Sequence, residues 1–304
     1  MLEFHHLPFT AMGTACNLHL YADGRAAVDE AMHAAVAEVG RIEARYSRYR
    51  PDSVLSEINR AAGCGGEIAV DAETAGLLDY AWACYLKSEG LFDISSGILR
   101  RAWDFKSSRL PEQEAIAALL PRLGLDKVVW EKPLLRFGVP GMELDFGGMG
   151  KEYAADRAAA ICLARGIRHG LVDLGGDITV IGPHPNGDPW RIGIQHPGRP
   201  GVLMANVEIS QGALASSGDY ERCITVDGKR YGHILDPRTG WPVHGLSSVS
   251  ALAGQCIIAG SVCTIAMLRG AGGISWLQSL NVPHFWMDDE GKQGGTPHFS
   301  RAPA

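Results

Sequence analysis

The residues best suited to chemistry lie in one short stretch, Leu144–Asp156, which reads LDFGGMGKEYAAD. An acid, Asp145, precedes three glycines within four positions, and Lys151 begins a segment that favours a helix. Glycines let the backbone approach a ligand, and the N–H groups at a helix N-terminus attract anions. The pattern is typical of a phosphate-binding turn, but a tight strand-to-helix turn with a solvated lysine would have the same sequence.

Two large nucleotide-binding classes do not fit this turn. A Walker A loop requires GxxxxGK followed by Ser or Thr, whereas Gly147 and Gly150 are two residues too close and Glu152 follows the lysine. The DFG triplet that begins at Asp145 lacks the lysine strand and the HRD loop of protein kinases. Neither a P-loop nucleotidase nor a kinase is therefore predicted.

Three further stretches place polar groups next to turn residues. They are HILDPRTGWPV at His233–Val243, LASSGDYER at Leu214–Arg222 and DLGGD at Asp173–Asp177. The first is compatible with a plain turn or with a site at a strand end, and the third with a hairpin turn. A serine hydrolase is not supported, since Ser216 has neither a GxSxG elbow nor a paired His-Asp set.

The overall composition argues against other classes. With 28 Lys+Arg against 34 Asp+Glu, the net charge is −6, and no basic run is present, so nucleic-acid binding is not predicted. The seven cysteines form no CxxC pair and the eleven histidines form no HExxH motif. We therefore expect buried free thiols and no zinc site.

The first residues, MLEFHHLPFTAMGT, have neither the basic start and apolar core of a signal peptide nor a lipidation motif. No run of 18 apolar residues is present either. The sequence as written predicts a cytoplasmic protein without a transmembrane segment. A periplasmic location is the alternative if a leader has been removed.

The spacing of apolar residues predicts both helices and strands. Helices are predicted over Arg25–Tyr46, from the N-cap candidate Asp71 to Gly90, from Pro111 to about Leu120, from Lys151 to Arg165, and over QCIIAGSVCTIAML and GISWLQSL. Strands are predicted over KVVW, LLRF, MELDF, GLVDL, DITVIG, WRIGIQ, MANVEIS, RCITV, YGHILD and a closing hairpin from HFWM. Hairpin signals such as Asp227-Gly228 join the strands, so we predict an α+β fold with antiparallel sheet. Residues 1–304 are expected to form a single domain of one or two lobes.

Seven stretches taken together resemble the ApbE family. They are MGT from Met12, RYRPDSVLSEIN from Arg48, GLFDISSGIL from Gly90, LDFGGMGKEYAAD from Leu144, VDLGGDI from Val172, ASSGDYER from Ala215 and HILDPRTGWP from His233. The resemblance extends from Met12 to the last hairpin.

Members of that family are FAD:protein FMN transferases, and some act as FAD pyrophosphatases. The resemblance implies an Mg²⁺-dependent reaction that splits FAD at its pyrophosphate, releases AMP and joins FMN through a phosphoester to a Thr or Ser of an acceptor protein. It also implies an α+β, duplicated tunnelling-fold-like architecture. The alternatives are an FAD-binding protein with weak or lost turnover, and a pyrophosphatase that yields free FMN and AMP.

The family motifs also imply the roles of individual residues. The residues that match FAD contacts are Met12, Tyr49, Gly90, Leu91, Phe92, Asp145, Lys151 and Ile234. Lys151 and Asp145 are expected to act at the pyrophosphate, whose negative charge must be neutralised before an oxygen attacks phosphorus. His233 is expected to assist removal of the proton from the acceptor hydroxyl.

The metal site that the resemblance implies is incomplete in this chain. The family uses a backbone carbonyl at the position of Gly148, together with an Asp and a Thr four residues apart on a late helix. Thr264 is present, but the position of the Asp is Gly260, and Mg²⁺ prefers carboxylate oxygens. We expect either a weak site held mainly by the FAD phosphates or an acid from a loop, for which Asp145 is the best candidate.

Overall fold

The computed structural model describes residues 1–107, 109–220 and 222–302. The α-helices are α1 (Arg25–Tyr46), α2 (Val54–Cys64), α3 (Ala72–Lys87), α4 (Gln113–Ala117), α5 (Gly150–Ala164), α6 (Cys256–Leu268) and α7 (Gly273–Ser279). Short 3₁₀ helices cover Ile94–Arg101, Leu120–Arg122, Leu125–Lys127 and Gly270–Gly272. The strands are β1 (Glu3–Ala11), β2 (Thr14–Ala22), β3 (Glu67–Ala69), β4 (Val128–Glu131), β5 (Leu134–Phe137), β6 (His169–Leu174), β7 (Asp177–Gly182), β8 (Trp190–Gln195), β9 (Leu203–Ile209), β10 (Gly212–Gly218), β11 (Cys223–Val226), β12 (Lys229–Gly232), β13 (Leu246–Ala253), β14 (His284–Asp288), β15 (Gln293–Gly295) and β16 (Phe299–Arg301).

One eight-stranded sheet runs through the molecule in the order β1-β2-β6-β7-β10-β13-β14-β15. Every neighbouring pair in it is antiparallel. The turn between β1 and β2 is Met12-Gly13, with φ of 51° and 75°, and a turn with two positive φ angles suits the twist of a hairpin. The predicted α+β, antiparallel fold is confirmed, whereas the internal duplication and the division into one or two lobes stay predictions.

The main hydrophobic core lies between one face of this sheet and the helices α1, α5 and α6. The helix α1 contributes Val28, Met32, Val39 and Ile42, at the helical spacing that predicted it. The other face of the sheet packs against the small sheet β8-β9-β16, with Trp190 and Phe285 in the second core. The helix α5, which follows the Gly-rich turn, therefore packs on β6 and β7 of the sheet.

A third, smaller core joins the 3₁₀ helix Ile94–Arg101, α4 and the hairpin β11–β12. Trp103 lies at its centre and donates a hydrogen bond from Nε1 to the carbonyl of Gly240 at 2.8 Å. This core anchors the segment that contains His233.

Several local predictions were wrong. MELDF is not a strand, the third predicted helix is only Gln113–Ala117, and most of YGHILD lies beyond the end of β12. The seven cysteines are free thiols, but Cys64 is exposed and Cys223 half-buried, contrary to the expected burial.

Among the described residues, none of the helices has the length and apolar character that a membrane span requires.

Candidate functional site

The Gly-rich turn forms because the backbone folds back on itself immediately before α5. The N–H groups of Met149 and Gly150 donate to the carbonyl of Phe146 at 3.0 and 2.8 Å, and the N–H of Gly147 donates to Asp145 Oδ1 at 2.9 Å. The N-cap residue of α5, Met149, makes no side-chain capping hydrogen bond. The start of a helix with an apolar N-cap residue suits an anionic ligand.

Asp145 is held in place from two sides. The guanidinium of Arg48 forms an ion pair with its carboxylate, and Gly97 packs so closely that a Cβ on that glycine would lie 2.4 Å from the Asp145 Cβ. Arg48 also donates to the Tyr49 hydroxyl at 3.0 Å and lies 5.1 Å from the centre of that ring. The structure thus brings together Asp145 and Tyr49, two of the predicted site residues, through Arg48.

Tyr49 presents most of its ring to solvent, with 80% of the residue exposed. The hydrogen bond from Arg48 lowers the pKa of its phenol, and the positive charges of Arg48 and Arg222 act in the same direction. A flat, exposed ring beside two cations suits a flat aromatic ligand that carries phosphates.

Lys151 lies in the first turn of α5 and contacts a buried acid. Its Nζ is 2.7 Å from Asp177 Oδ2, and Asp177 is only 2% exposed. Burial raises the pKa of Asp177, and the charge of Lys151 opposes that rise. Asp177 begins β7 directly after Gly175 and Gly176, whose φ angles of 69° and 92° form the predicted hairpin turn. The turn DLGGD therefore delivers a carboxylate that orients the lysine.

The segment Gly90–Phe92 lies against the Gly-rich turn from the core side. Gly90 has a φ of 85° and follows the end of α3. Leu91 and Phe92 are 5% and 4% exposed, and the Phe92 ring is 3.8 Å from the position of a Cβ on Gly148. Both side chains are buried, and the Phe92 ring packs beneath the turn at Gly148.

Three further predicted site residues lie outside the Gly-rich turn, on other elements: Met12, Ile234 and His233. The N–H of Met12 donates to Glu43 Oε1 on α1 at 2.9 Å, and the Ile234 carbonyl accepts from Val243 at 3.0 Å. Both side chains pack against the main core. His233 is half-buried and directly follows β12. These hydrogen bonds of Met12 and Ile234 run to α1 and to Val243, and the roles of Met12, Ile234 and His233 in binding stay predictions.

The metal-site positions show an unexpected contact. A Cβ built on Gly260 would lie 2.5 Å from Glu152 Oε1 and 2.6 Å from Glu152 Cγ. Glu152 is 8% exposed, and its Oε2 has no hydrogen-bond partner among the described residues. Burial raises the pKa of Glu152, and the nearby charge of Asp177 adds to that rise. The acid that lies against Gly260 is therefore Glu152, and the expected contribution of Asp145 to the metal site stays a prediction.

The described residues contain no group of three or more His, Cys, Asp or Glu side chains arranged to hold a metal ion. A magnesium ion in phosphoryl transfer, however, takes only one or two carboxylates together with phosphate oxygens and water. Glu152 offers a buried carboxylate, Thr264 a half-buried hydroxyl one turn after Gly260, and Gly148 a carbonyl in an exposed turn. The donors present fit the chemistry of such an ion.

Sequence reasoning missed three residues that the structure places at this site. Arg48 directly precedes Tyr49, Asp177 ends the DLGGD turn, and Glu152 directly follows Lys151. Arg48 and Glu152 adjoin residues that were recognised, and Asp177 belongs to a turn that was singled out, so these positions are the signal that could have identified them.

Comparison with known proteins identifies the family of this chain. The sequence profile of the ApbE family matches residues 12–286. The chain is 29% identical to a Haemophilus influenzae FAD:protein FMN transferase, over 85% of this chain and 79% of that protein. It is 31% identical to the FAD:protein FMN transferase of Treponema pallidum, over 88% of this chain and 82% of that protein. The solved structure of the flavin transferase ApbE from Vibrio cholerae superposes with a TM-score of 0.87 at 27% identity, covering 98% of each chain. The chain belongs to the ApbE family.

Proposed function

We propose that this protein is an FAD:protein FMN transferase. It splits FAD at the pyrophosphate, releases AMP, and joins FMN through a phosphoester to a Thr or Ser hydroxyl of an acceptor protein. The observation that carries the proposal is the similarity to relatives of that name over 85% and 88% of this chain. The Gly-rich turn and Lys151, which the reaction requires, lie within the similar region.

The chain's own residues account for binding of a dinucleotide with a pyrophosphate. Lys151, oriented by Asp177 at 2.7 Å, and the start of α5 bind the phosphate oxygens. Tyr49 stacks on a ring of the flavin nucleotide, while Arg48 fixes both Tyr49 and Asp145. The site therefore holds the phosphorus of the FMN half of FAD in place for attack by the acceptor hydroxyl.

A hydroxyl is a weak nucleophile and requires a base whose pKa is close to neutral. His233 is the residue that we assign to this role, and it accepts the proton from the acceptor's Thr or Ser. Gly148, Thr264 and a carboxylate would hold Mg²⁺, which when bound supplies positive charge to the phosphoryl oxygens. AMP then leaves with the electron pair of the broken P–O bond.

The test is incubation of the purified protein with FAD, Mg²⁺ and a small acceptor protein that carries a candidate Thr. We expect AMP release and a fluorescent flavin that remains on the acceptor after denaturing electrophoresis. An acceptor with that Thr changed to Val is the matched control and should stay unlabelled. AMP release with only free FMN would indicate a pyrophosphatase instead, and FAD binding without AMP release would indicate a binding protein.

A further inference from the structure

We propose that Glu152 supplies the metal-binding carboxylate that Gly260 lacks, so that the cation is held from α5 instead of α6. The inference rests on the proposed function, because metal-dependent phosphoryl transfer gives the carboxylate its purpose. It names a residue to which the family resemblance assigned no role.

The first argument is the space that the two residues share. A Cβ on Gly260 would lie 2.5, 2.6 and 2.9 Å from Oε1, Cγ and Cδ of Glu152, closer than real Cβ atoms approach other atoms. An aspartate at position 260 and Glu152 in its present position therefore exclude each other. Glycine makes a helix less stable than alanine does. At position 260, however, it leaves room for the side chain of Glu152.

The second argument is the unmet bonding capacity of the Glu152 carboxylate. Glu152 is 8% exposed, and Oε2 has no hydrogen-bond partner among the described residues. A buried carboxylate is costly unless it is paired, hydrogen-bonded or bound to a metal ion. The adjacent cation, Lys151, lies 2.7 Å from a second buried acid, Asp177. A divalent cation bound to Glu152 would stabilise the charged form of that buried carboxylate.

The third argument is the position of the donors on the two helices. Glu152 lies in the first turn of α5, four residues after Gly148, the position whose carbonyl is assigned to the metal. Gly260 and Thr264 are four residues apart in α6, so they share one face of that helix. Since Glu152 contacts Gly260, its carboxylate reaches the same face as the Thr264 hydroxyl.

Asp156 shows how a nearby half-buried acid of the same helix differs. Its carboxylate accepts from the N–H groups of Cys256 and Ile257 at 2.8 and 3.0 Å and from the Thr179 hydroxyl at 2.9 Å. It therefore caps the start of α6 and has its bonding capacity filled. Asp156→Asn removes a charge one turn away from Glu152 and serves as the matched control.

The experiment measures Mn²⁺ binding by the electron paramagnetic resonance of the free ion, with and without FAD. Glu152→Gln should weaken Mn²⁺ binding by about tenfold or more, whereas Asp156→Asn should leave it unchanged. The exchange variant Glu152→Gly/Gly260→Asp should bind Mn²⁺ as the unchanged protein does. Gly260→Asp alone should lower the thermal unfolding midpoint, because the new side chain meets Glu152.

Two results would overturn the inference. They are Mn²⁺ binding by Glu152→Gln equal to that of the unchanged protein, and absence of Mn²⁺ binding by the unchanged protein. If Glu152→Gln does not fold, the exchange variant decides, since a folded exchange variant that binds no Mn²⁺ contradicts the shared-space argument. The proposed function fails separately, when FMN is not transferred by a protein whose Mn²⁺ binding depends on Glu152.

Discussion

Asp177 acts on the proposed chemistry through Lys151, and the two residues differ in exposure. Asp177 is buried, whereas about a third of the lysine side chain reaches solvent. Asp177→Asn should lower the free energy of unfolding by about 2 kcal/mol, because it removes the buried carboxylate that the ammonium of Lys151 contacts. It should also weaken FAD binding, since the lysine loses its orientation. Urea unfolding and flavin fluorescence titration measure the two effects.

The double variant Lys151→Met/Asp177→Asn measures the coupling energy between the two residues of the ion pair. Its loss of stability should be smaller than the sum of the two single losses, since each single change already removes the contact between Lys151 and Asp177. Additive losses would mean that the contact at 2.7 Å contributes no coupling.

Gly97 matters because Asp145 packs directly on its backbone. Gly97→Ala would place a methyl group 2.4 Å from the Asp145 Cβ, so the carboxylate should move away from Arg48 and FAD affinity should fall by roughly tenfold or more, as expected when a charged contact is displaced. Flavin fluorescence titration measures this change.

Gly76→Ala is the control for Gly97→Ala. A Cβ on Gly76, in the exposed part of α3, meets nothing within 4 Å. This change should leave FAD affinity unaltered and stabilise the fold by about 1 kcal/mol, because alanine is the better helix former. Equal FAD affinity for the two alanine variants would contradict the role given to Gly97.

At the scale of elements, the helices were the more predictable part of the fold. The helix α1 has the predicted bounds because its apolar residues recur at helical spacing. The buried α6 was recognised by its unbroken apolar run. Asp71 was recognised as an N-cap from its residue type, and its side chain accepts from the N–H of Thr74 at 2.9 Å.

Strands whose two faces are both covered were harder to recognise. The strand β13, with the sequence LSSVSALA, has its first six residues buried, so apolar and polar residues do not alternate. Its serines resemble those of a loop. MELDF, in contrast, was wrongly predicted to be a strand, because Met142, Leu144 and Phe146 are buried in alternation as in a strand. The backbone of Leu144, however, bonds to the side chain of Asn59 at 2.7 and 2.9 Å, a partner that no local pattern reveals.

Three helices are joined by one carboxylate, that of Glu73 at the start of α3. It accepts from Arg41 of α1 at 2.6 and 2.8 Å and from the hydroxyl of Tyr153 of α5 at 2.8 Å. The hydrogen bonds from Arg41 are the main reason that the pKa of Glu73 falls from 4.5 to about 2. A lowered pKa in the folded state stabilises the protein above pH 4.5, and this contribution is lost as the pH falls to about 2.

Glu73→Gln should therefore lower the free energy of unfolding at pH 7 by about 1–2 kcal/mol, reduced by partial exposure to solvent. The difference from the unchanged protein should shrink as the pH falls from 4.5 to about 2. Urea unfolding at a series of pH values measures it. Asp52→Asn, which removes an exposed partner of Arg50, should leave the pH dependence of the free energy of unfolding unchanged. A constant difference for Glu73→Gln at all pH values would contradict the electrostatic origin.

At the scale of the whole molecule, the residues assigned to FAD come from distant parts of the chain. They lie in the β1–β2 turn, after α1, after α3, at the Gly-rich turn and after β12. A ligand held by all of these binds the folded chain only, so it stabilises the folded state by mass action. At a concentration 100 times its dissociation constant, FAD should add about 2.7 kcal/mol to the free energy of unfolding.

Tryptophans in the three cores report whether this stabilisation extends through the molecule, since Trp286, Trp190 and Trp103 each belong to a different core. FAD should raise the urea midpoint more than FMN or AMP at the same concentration, because only FAD engages both the ring and pyrophosphate contacts. Fluorescence and far-ultraviolet circular dichroism should shift together, as expected when the cores unfold as one unit. An equal shift with AMP and FAD would show that the flavin half is not held, and would remove Tyr49 and Phe92 from the site.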